Sequence, residues 1–343
     1  MDKSFTERLW DAWCIVSIVG IWPRFIEPKL ICTTHHTLPI PTLPKELDPF
    51  QLVQISDLHD SRYLSPQFLR RVASEIMAIK PDCIVFTGDL LSFATCTHKE
   101  YVVEFLSSLT APFGCFAVLG NHDYTQYVSY GDDGASCVIN DHTPVILRGL
   151  RRLVTRTKDT SLKKSHIDVP LEGNKDAISL LQKSGFCLLH NATMQIGKGL
   201  SYINITGLGD LMAGQCLPHK AFTYVDPRFP TVVLSHNPDS YPFLAPYPGD
   251  LFLFGHTHGG QVNIPGIWSR ITPLKCREFK SGLHAQSGRF LYINRGLGQT
   301  FPFRWFAPPE ITHFTLVKSG PEIVRPFEPL FQKQQERVAT SDV

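Results

Sequence analysis

Apolar residues fall along this chain in short unbroken runs that stop at polar, glycine-flanked clusters, and the runs alternate with stretches of helical spacing. Residues 51–56 form the first run and end at Asp57. Phe68, Leu69, Val72, Ile76 and Ile79 then recur three and four apart, so the pattern predicts strand, loop, helix. The unit repeats. Residues 83–87 are apolar and β-branched before Gly88 and Asp89, a helix is expected around residues 101–109, and residues 115–119 run into Gly120 and Asn121. Farther on, residues 231–235 precede His236, residues 251–254 precede Gly255 and His256, and residues 289–293 precede Asn294 and Arg295. Residues 311–317 are the last strand candidate, expected to close the sheet. Strands alternating with helices predict an α/β fold with a parallel sheet. Such sheets hold their ligands just beyond the carboxyl ends of the strands, where these polar clusters fall.

Three segments break the pattern. Residues 12–23 carry no charge and place Trp10, Trp13, Cys14, Ser17, Ile18 and Ile21 on one helical face. A dozen residues fall short of the roughly 20 that a bilayer span requires. Mixed charges at Asp2, Lys3, Glu7, Arg8 and Asp11, with no small-residue cleavage pattern, argue against a signal peptide. The reading is an N-terminal amphipathic helix within residues 1–37, lying on a membrane surface or docked on the protein itself. Residues 38–49 contain four prolines and read as a linker, so the main domain is expected over residues 50–318, followed by a tail over residues 319–343. Within that domain, residues 124–176 show little strand character. There Arg148, Arg151, Arg152, Arg156, Lys158, Lys163 and Lys164 face a single acid, Asp159, and interleave with Leu147, Leu150, Leu153 and Val154. This reads as an inserted basic lid or as a solvated surface helix.

Composition narrows the choices. The chain has 343 residues, 43% of them hydrophobic, enough for a large core. A net charge of +2 from 33 basic and 31 acidic side chains is too balanced to expect a nucleic-acid partner. Nine cysteines without a C-x-x-C pair, none in the polar clusters, are expected to be reduced thiols in a cytosolic setting.

The polar clusters carry the chemistry. Asp57 and His59 are two apart at a strand end and can grip one ion together; mixed oxygen and imidazole donors suit manganese, iron, zinc or cobalt. Asp89 offers two oxygens that can bridge a pair of cations. Asn121 adds an amide oxygen, and His122 beside it is the candidate proton donor. His236 and the run Gly255-His256-Thr257-His258-Gly259-Gly260-Gln261 supply three more imidazoles. Any one of these residues alone is more often structural; D-x-H, G-D, G-N-H-D, H and G-H-x-H in order, each at a strand end, point to a metal cage.

In these motifs the chain resembles the calcineurin-like metallophosphoesterases over residues 50–318. The resemblance implies a four-layer α/β/β/α sandwich, with Asp57, His59, Asp89 and His258 around one divalent ion and Asp89, Asn121, His236 and His256 around the other. Leu234-Ser235-His236-Asn237-Pro238-Asp239 and Asn294-Arg295-Gly296-Leu297-Gly298 are similar to the membrane-associated branch. That branch includes hydrolases of a lipid nucleotide, and the likeness to them implies cleavage of the pyrophosphate of UDP-2,3-diacylglucosamine to UMP and 2,3-diacylglucosamine 1-phosphate in lipid A biosynthesis; the alternatives are a phosphoesterase of the same cage acting on another phosphodiester, or a binding scaffold that kept the fold without the chemistry. Two cations, manganese foremost, would acidify a shared water for in-line attack. Arg295, Arg148, Arg151, Arg152 and Arg156 are candidates for binding substrate, and Phe301, Phe303, Trp305 and Phe306 for apolar contact or core. The expected location is cytoplasmic, on the inner face of the cytoplasmic membrane.

Overall fold

The structure, a computed structural model, describes residues 5–61, 63–130, 135–139, 164–166, 170–264 and 274–319. Two six-stranded sheets pack face to face. The first has the order β1 (Cys32–Pro39), β15 (Glu310–Val317), β2 (Phe50–Ile55), β3 (Cys83–Phe86), β4 (Cys115–Ala117), β8 (Phe186–Leu188). The second runs β13 (Gly282–Gln286), β14 (Arg289–Ile293), β12 (Leu251–Phe254), β11 (Thr231–Leu234), β10 (Ser201–Gly207), β9 (Ala192–Lys198). Their centres are parallel, β2 through β8 in one and β10 through β14 in the other, as the strand–helix alternation predicts. β15 lies inside the first sheet instead of closing it: it is antiparallel to β2, and β1 adds parallel on its far side.

The strands read as unbroken apolar runs because both of their faces are buried. Val53, Ile55, Ile84 and Phe86 meet helices α2 (Pro66–Ile79), α3 (Lys99–Ser107) and α4 (Lys175–Lys183) through Val72, Ile76, Phe105, Leu106, Leu180 and Leu181. The alternate residues Leu52, Cys83, Val85 and Phe116 face Ile203, Val232, Leu234, Leu251 and Leu253 of the second sheet. The outer face of that sheet, with Val233, Phe252 and Phe254, is covered by the short helices Pro218–Ala221 and Tyr241–Leu244. The result is the four-layer α/β/β/α sandwich. α2 shows its local logic: Ser65 accepts from the Phe68 N–H at 3.2 Å, Pro66 occupies the first turn, and Lys80 ends the helix in the left-handed region at φ 55°.

The peripheral segments differ from expectation. α1 (Phe5–Val16) continues through a π-helical stretch, Ser17–Ile26, and a 3₁₀ turn, Glu27–Lys29. Pro23 therefore lies inside the helix. The 22 residues Arg8–Lys29 are long and apolar enough to cross a membrane by length and composition, whereas the sequence pattern stops the run at Pro23. Residues 32–37 belong to β1, beyond the helix. Nor do residues 38–49 hang as a free linker, since Leu38, Ile40, Leu43 and Leu47 are buried between the sheets and the prolines punctuate a packed segment. Residues 124–176 contain three short strands, β5 (Val128–Tyr130), β6 (Ser136–Ile139) and β7 (Lys164–His166), which form an antiparallel sheet. Arg148, Arg151, Arg152 and Arg156 lie outside the described residues, as do residues 320–343.

Candidate metal centre

The loops after β2, β3, β4, β11 and β12 deliver Asp57, His59, Asp89, Asn121, His122, His236, His256 and His258 to one place. Asp89 stands in the middle. Its Oδ2 is 3.5 Å from His59 Nε2 and 3.1 Å from His236 Nε2. On one side His59 Nε2 and His258 Nε2 are 2.9 Å apart, with Asp57 Oδ1 3.5 Å from His258 Nε2. On the other side Asn121 Oδ1 lies 3.2 Å from His236 Nε2 and 2.9 Å from His256 Nδ1, and the two imidazole nitrogens are 3.3 Å apart. Donors held about 2.1 Å from a cation sit roughly 3 Å apart at right angles and about 3.4 Å apart at tetrahedral angles. The observed spacings are edges of that kind. Lone pairs of nitrogen and oxygen facing one another in a buried space repel unless a proton or a cation lies between them, so the donor set fits two divalent cations sharing Asp89.

Neighbouring groups aim these donors. The Nδ1–H of His236 donates to the Thr87 carbonyl at 2.7 Å and that of His59 to the Leu91 carbonyl at 3.2 Å, which leaves Nε2 of both free for an ion. Asn121 donates its Nδ2–H to the Val128 carbonyl at 2.7 Å, turning Oδ1 towards the imidazoles. Asp123 accepts from the N–H groups of Leu90, Leu91 and Gly120 and so ties the β3 and β4 loops together. The backbone is strained where the donors sit. Asp57, His59, Asp89, His256 and His258 have φ of 50°, 46°, 59°, 69° and 51°, a left-handed conformation costing roughly 1–2 kcal/mol per non-glycine residue. Such strain persists where a site over-determines it. Gly88, at φ 93°, makes the approach possible, since a Cβ there would lie 2.6 Å from Gly120 N and 2.8 Å from His236 Nδ1.

Residues 50–260 match the calcineurin-like phosphoesterase family. This chain belongs to that family. The phosphoesterase is also 38% identical over 307 residues to UDP-2,3-diacylglucosamine pyrophosphatase LpxG of Chlamydia muridarum (strain MoPn / Nigg), covering 86% of this chain and 92% of the relative. The LpxG of Chlamydia trachomatis serovar D matches with the same identity and coverage. An uncharacterized metallophosphoesterase of Bacillus subtilis (strain 168), YkuE, is 33% identical over 299 residues, covering 86% of this chain and 88% of the relative.

The electrostatics of the phosphoesterase centre suit cations. Burial, against the pull of Asp89, lowers His59 to about 4 and His122 to about 3. Burial and the charge on His236 lower His256 to about 3. These imidazoles are neutral at physiological pH. His236 goes the other way: burial opposes its charge, yet Asp89, Asp57 and Asp210 raise it to about 10. Burial raises Asp57 to about 7 against the attraction of His236. Carboxylates and imidazole lone pairs thus crowd one buried space, and in the metal-free centre the protons held on His236 and Asp57 offset their mutual repulsion.

Hydrogen bonds to its backbone and its ring place His122. Its backbone N–H donates to Asp89 Oδ1 at 2.9 Å, and its Nδ1 accepts from the Phe93 N–H at 3.1 Å. A backbone N–H can only donate, so the neutral ring carries its proton on Nε2, 3.9 Å from Asp89 Oδ2. Arg295 forks onto Glu310, Nε to Oε2 at 3.1 Å and Nη2 to Oε1 at 3.2 Å, which is the arrangement of a structural ion pair. Sequence reading missed Arg304. Fully buried, it donates to the carbonyls of Arg295, Gly296, Gly298 and Ala307, and its Nη2 is 3.4 Å from His258 Nδ1. Asp60, which directly follows the D-x-H motif, accepts from His98 N and Thr97 N and pairs with His98 Nδ1 at 3.1 Å.

Proposed function

We propose that this phosphoesterase hydrolyses the pyrophosphate of UDP-2,3-diacylglucosamine to UMP and 2,3-diacylglucosamine 1-phosphate in lipid A biosynthesis, working at the inner face of the cytoplasmic membrane. The observation that carries the reading is the 38% identity to two LpxG pyrophosphatases across 92% of their length. Asp57, His59, Asp89 and His258 would hold one divalent cation and Asp89, Asn121, His236 and His256 the other, with manganese the first choice. Such cations, when bound, neutralise phosphate charge and acidify a water. His122 directs its Nε2–H into the same space, where it stabilises negative charge on the departing phosphate oxygen.

The rest of the molecule accords with a lipid substrate. Trp10, Trp13, Ile18, Trp22 and Phe25 are exposed along the N-terminal helix, and Phe306, 62% exposed, stacks on Trp305. All nine cysteines are free, which suits a reducing compartment. Arg148, Arg151, Arg152 and Arg156 are the proposed contacts for the diphosphate or for anionic headgroups; Arg295 would offer only what Glu310 leaves of its guanidinium.

The test is a manganese-supplemented assay that follows UMP release from UDP-2,3-diacylglucosamine beside hydrolysis of bis(p-nitrophenyl) phosphate. The lipid nucleotide should be the better substrate by orders of magnitude in kcat/KM. Asn121→Ala should abolish turnover of both, and His122→Ala should lower kcat by roughly 10²–10⁴-fold. Turnover of the aryl diester alone would discard the lipid-nucleotide assignment.

A further inference from the structure

Between β3 and α3 the chain makes a tight turn in which two successive non-glycine residues, Phe93 and Ala94, hold φ of 51° and 59°. Ser92 and Thr95 close the turn with paired backbone hydrogen bonds of 3.3 and 3.0 Å. It is pinned from outside by three contacts. Phe93 N donates to His122 Nδ1 at 3.1 Å, Ala94 N donates to the His122 carbonyl at 3.2 Å, and Asn174 Nδ2 donates to the Ala94 carbonyl at 2.9 Å. Neither residue needs this conformation for packing. Phe93 is 39% exposed and belongs to none of the four core clusters. Its ring instead stands 5.3 Å from that of His122 and 5.2 Å, edge-on, from that of Tyr127, while Tyr127 covers His122 at 4.3 Å. A strained, externally fixed turn thus holds a partly solvated aromatic ring against the candidate proton donor. An exposed ring is a cost in water and a gain against a planar partner.

We propose that Phe93, backed by Tyr127, is the platform on which the pyrimidine base of the nucleotide stacks, so that recognition of the base and alignment of the scissile phosphate at His122 pass through one residue. The inference rests on the lipid-nucleotide reading and gives it a specificity determinant. The two roles of Phe93 are separable. Its backbone N–H, which orients His122, survives any substitution other than proline; its ring, which meets the base, does not.

Calorimetric titration of the full-length, manganese-loaded protein with UMP and with ribose 5-phosphate isolates the base, because the two ligands differ in little else. The wild type should bind UMP more tightly by roughly ten- to a hundredfold, the usual worth of one base on one aromatic side chain. Phe93→Ala should remove that difference while leaving ribose 5-phosphate affinity in place, which also shows that the variant is folded. Phe93→Trp should restore it. Equal binding of the two ligands by the wild type, or a preference for UMP that survives in Phe93→Ala, overturns the platform. A failure of the underlying reading looks different: UMP would be preferred through Phe93 while UDP-2,3-diacylglucosamine is left uncleaved.

Discussion

His236 is the imidazole of the centre that burial does not discharge. Its folded-state value of about 10 stands above the ordinary 6.5, so the stability it contributes to the metal-free protein is complete below 6.5 and is lost as pH rises through 10. Asp57 acts in the same sense. Raised from 3.8 to about 7, its contribution is complete below 3.8 and lost as pH rises through 7. The metal-free centre is therefore held together by protons that alkali removes, and a cation that takes their place binds better as they leave. The gain in Tm on adding manganese should be larger at pH 9 than at pH 6.5, and His236→Gln should flatten that dependence. A gain that is constant or shrinks with pH would contradict the proton inventory of the site.

Arg304 shows how elements far apart in the chain are joined behind the ligands. Its backbone N–H donates to the Pro23 carbonyl at 2.8 Å, and the next contact along, Ala307 N to Glu27 Oε1 at 2.6 Å, fastens the same segment to the end of the N-terminal helix. Glu27 is itself buried and accepts from Trp22 Nε1 at 2.9 Å. Gln261 donates to the carbonyls of Phe301 and Phe303, linking the segment to the loop that carries His258. Arg304→Met would strip the donors from several buried carbonyls, each orphan costing about 1–3 kcal/mol. Stability should fall by roughly 3 kcal/mol or more in denaturant titration, with weaker metal retention, whereas Glu27→Gln keeps an acceptor for both of its donors and should cost less. An Arg304→Met midpoint equal to that of the wild type would remove this residue from the support of the site. The contrast with the candidate ligands explains what was legible in the sequence. Candidate ligands at strand ends announce themselves, because an apolar run and a donor, often with a glycine between them, recur in one short pattern. Arg304 and Glu27 sit singly among apolar residues with no periodic signal, and their partners lie up to 280 positions away. Likewise the prolines of residues 38–49 signalled a break in secondary structure, while the burial of Leu38, Ile40, Leu43 and Leu47 depends on a sheet assembled from the whole chain.

At the scale of the molecule, the N-terminal helix carries an apolar surface that the fold leaves uncovered. Only 6% of its most apolar window is buried, so docking along the protein's own surface, one of the two arrangements its sequence allowed, does not describe most of its length. What is buried is the far end, Pro23 and Glu27, where it meets the segment behind His258. Helix and catalytic centre are thus mechanically continuous, and on the proposed reading, with a diacylated substrate, this would hold the metal site beside the surface where that substrate resides. Burying exposed tryptophan and isoleucine side chains in a bilayer is worth about 25 cal/mol per Å² of apolar area, and leaving them in water forfeits it. Replacing Trp10, Trp13 and Ile18 together with glutamine in the full-length protein should shift it from the membrane to the soluble fraction after lysis. Because those side chains are 66%, 56% and 57% exposed, thermal stability should change by little. Turnover of a water-soluble diester should persist, while that of bilayer-embedded UDP-2,3-diacylglucosamine falls. Fractionation identical to the wild type would show that the helix serves some end other than the membrane.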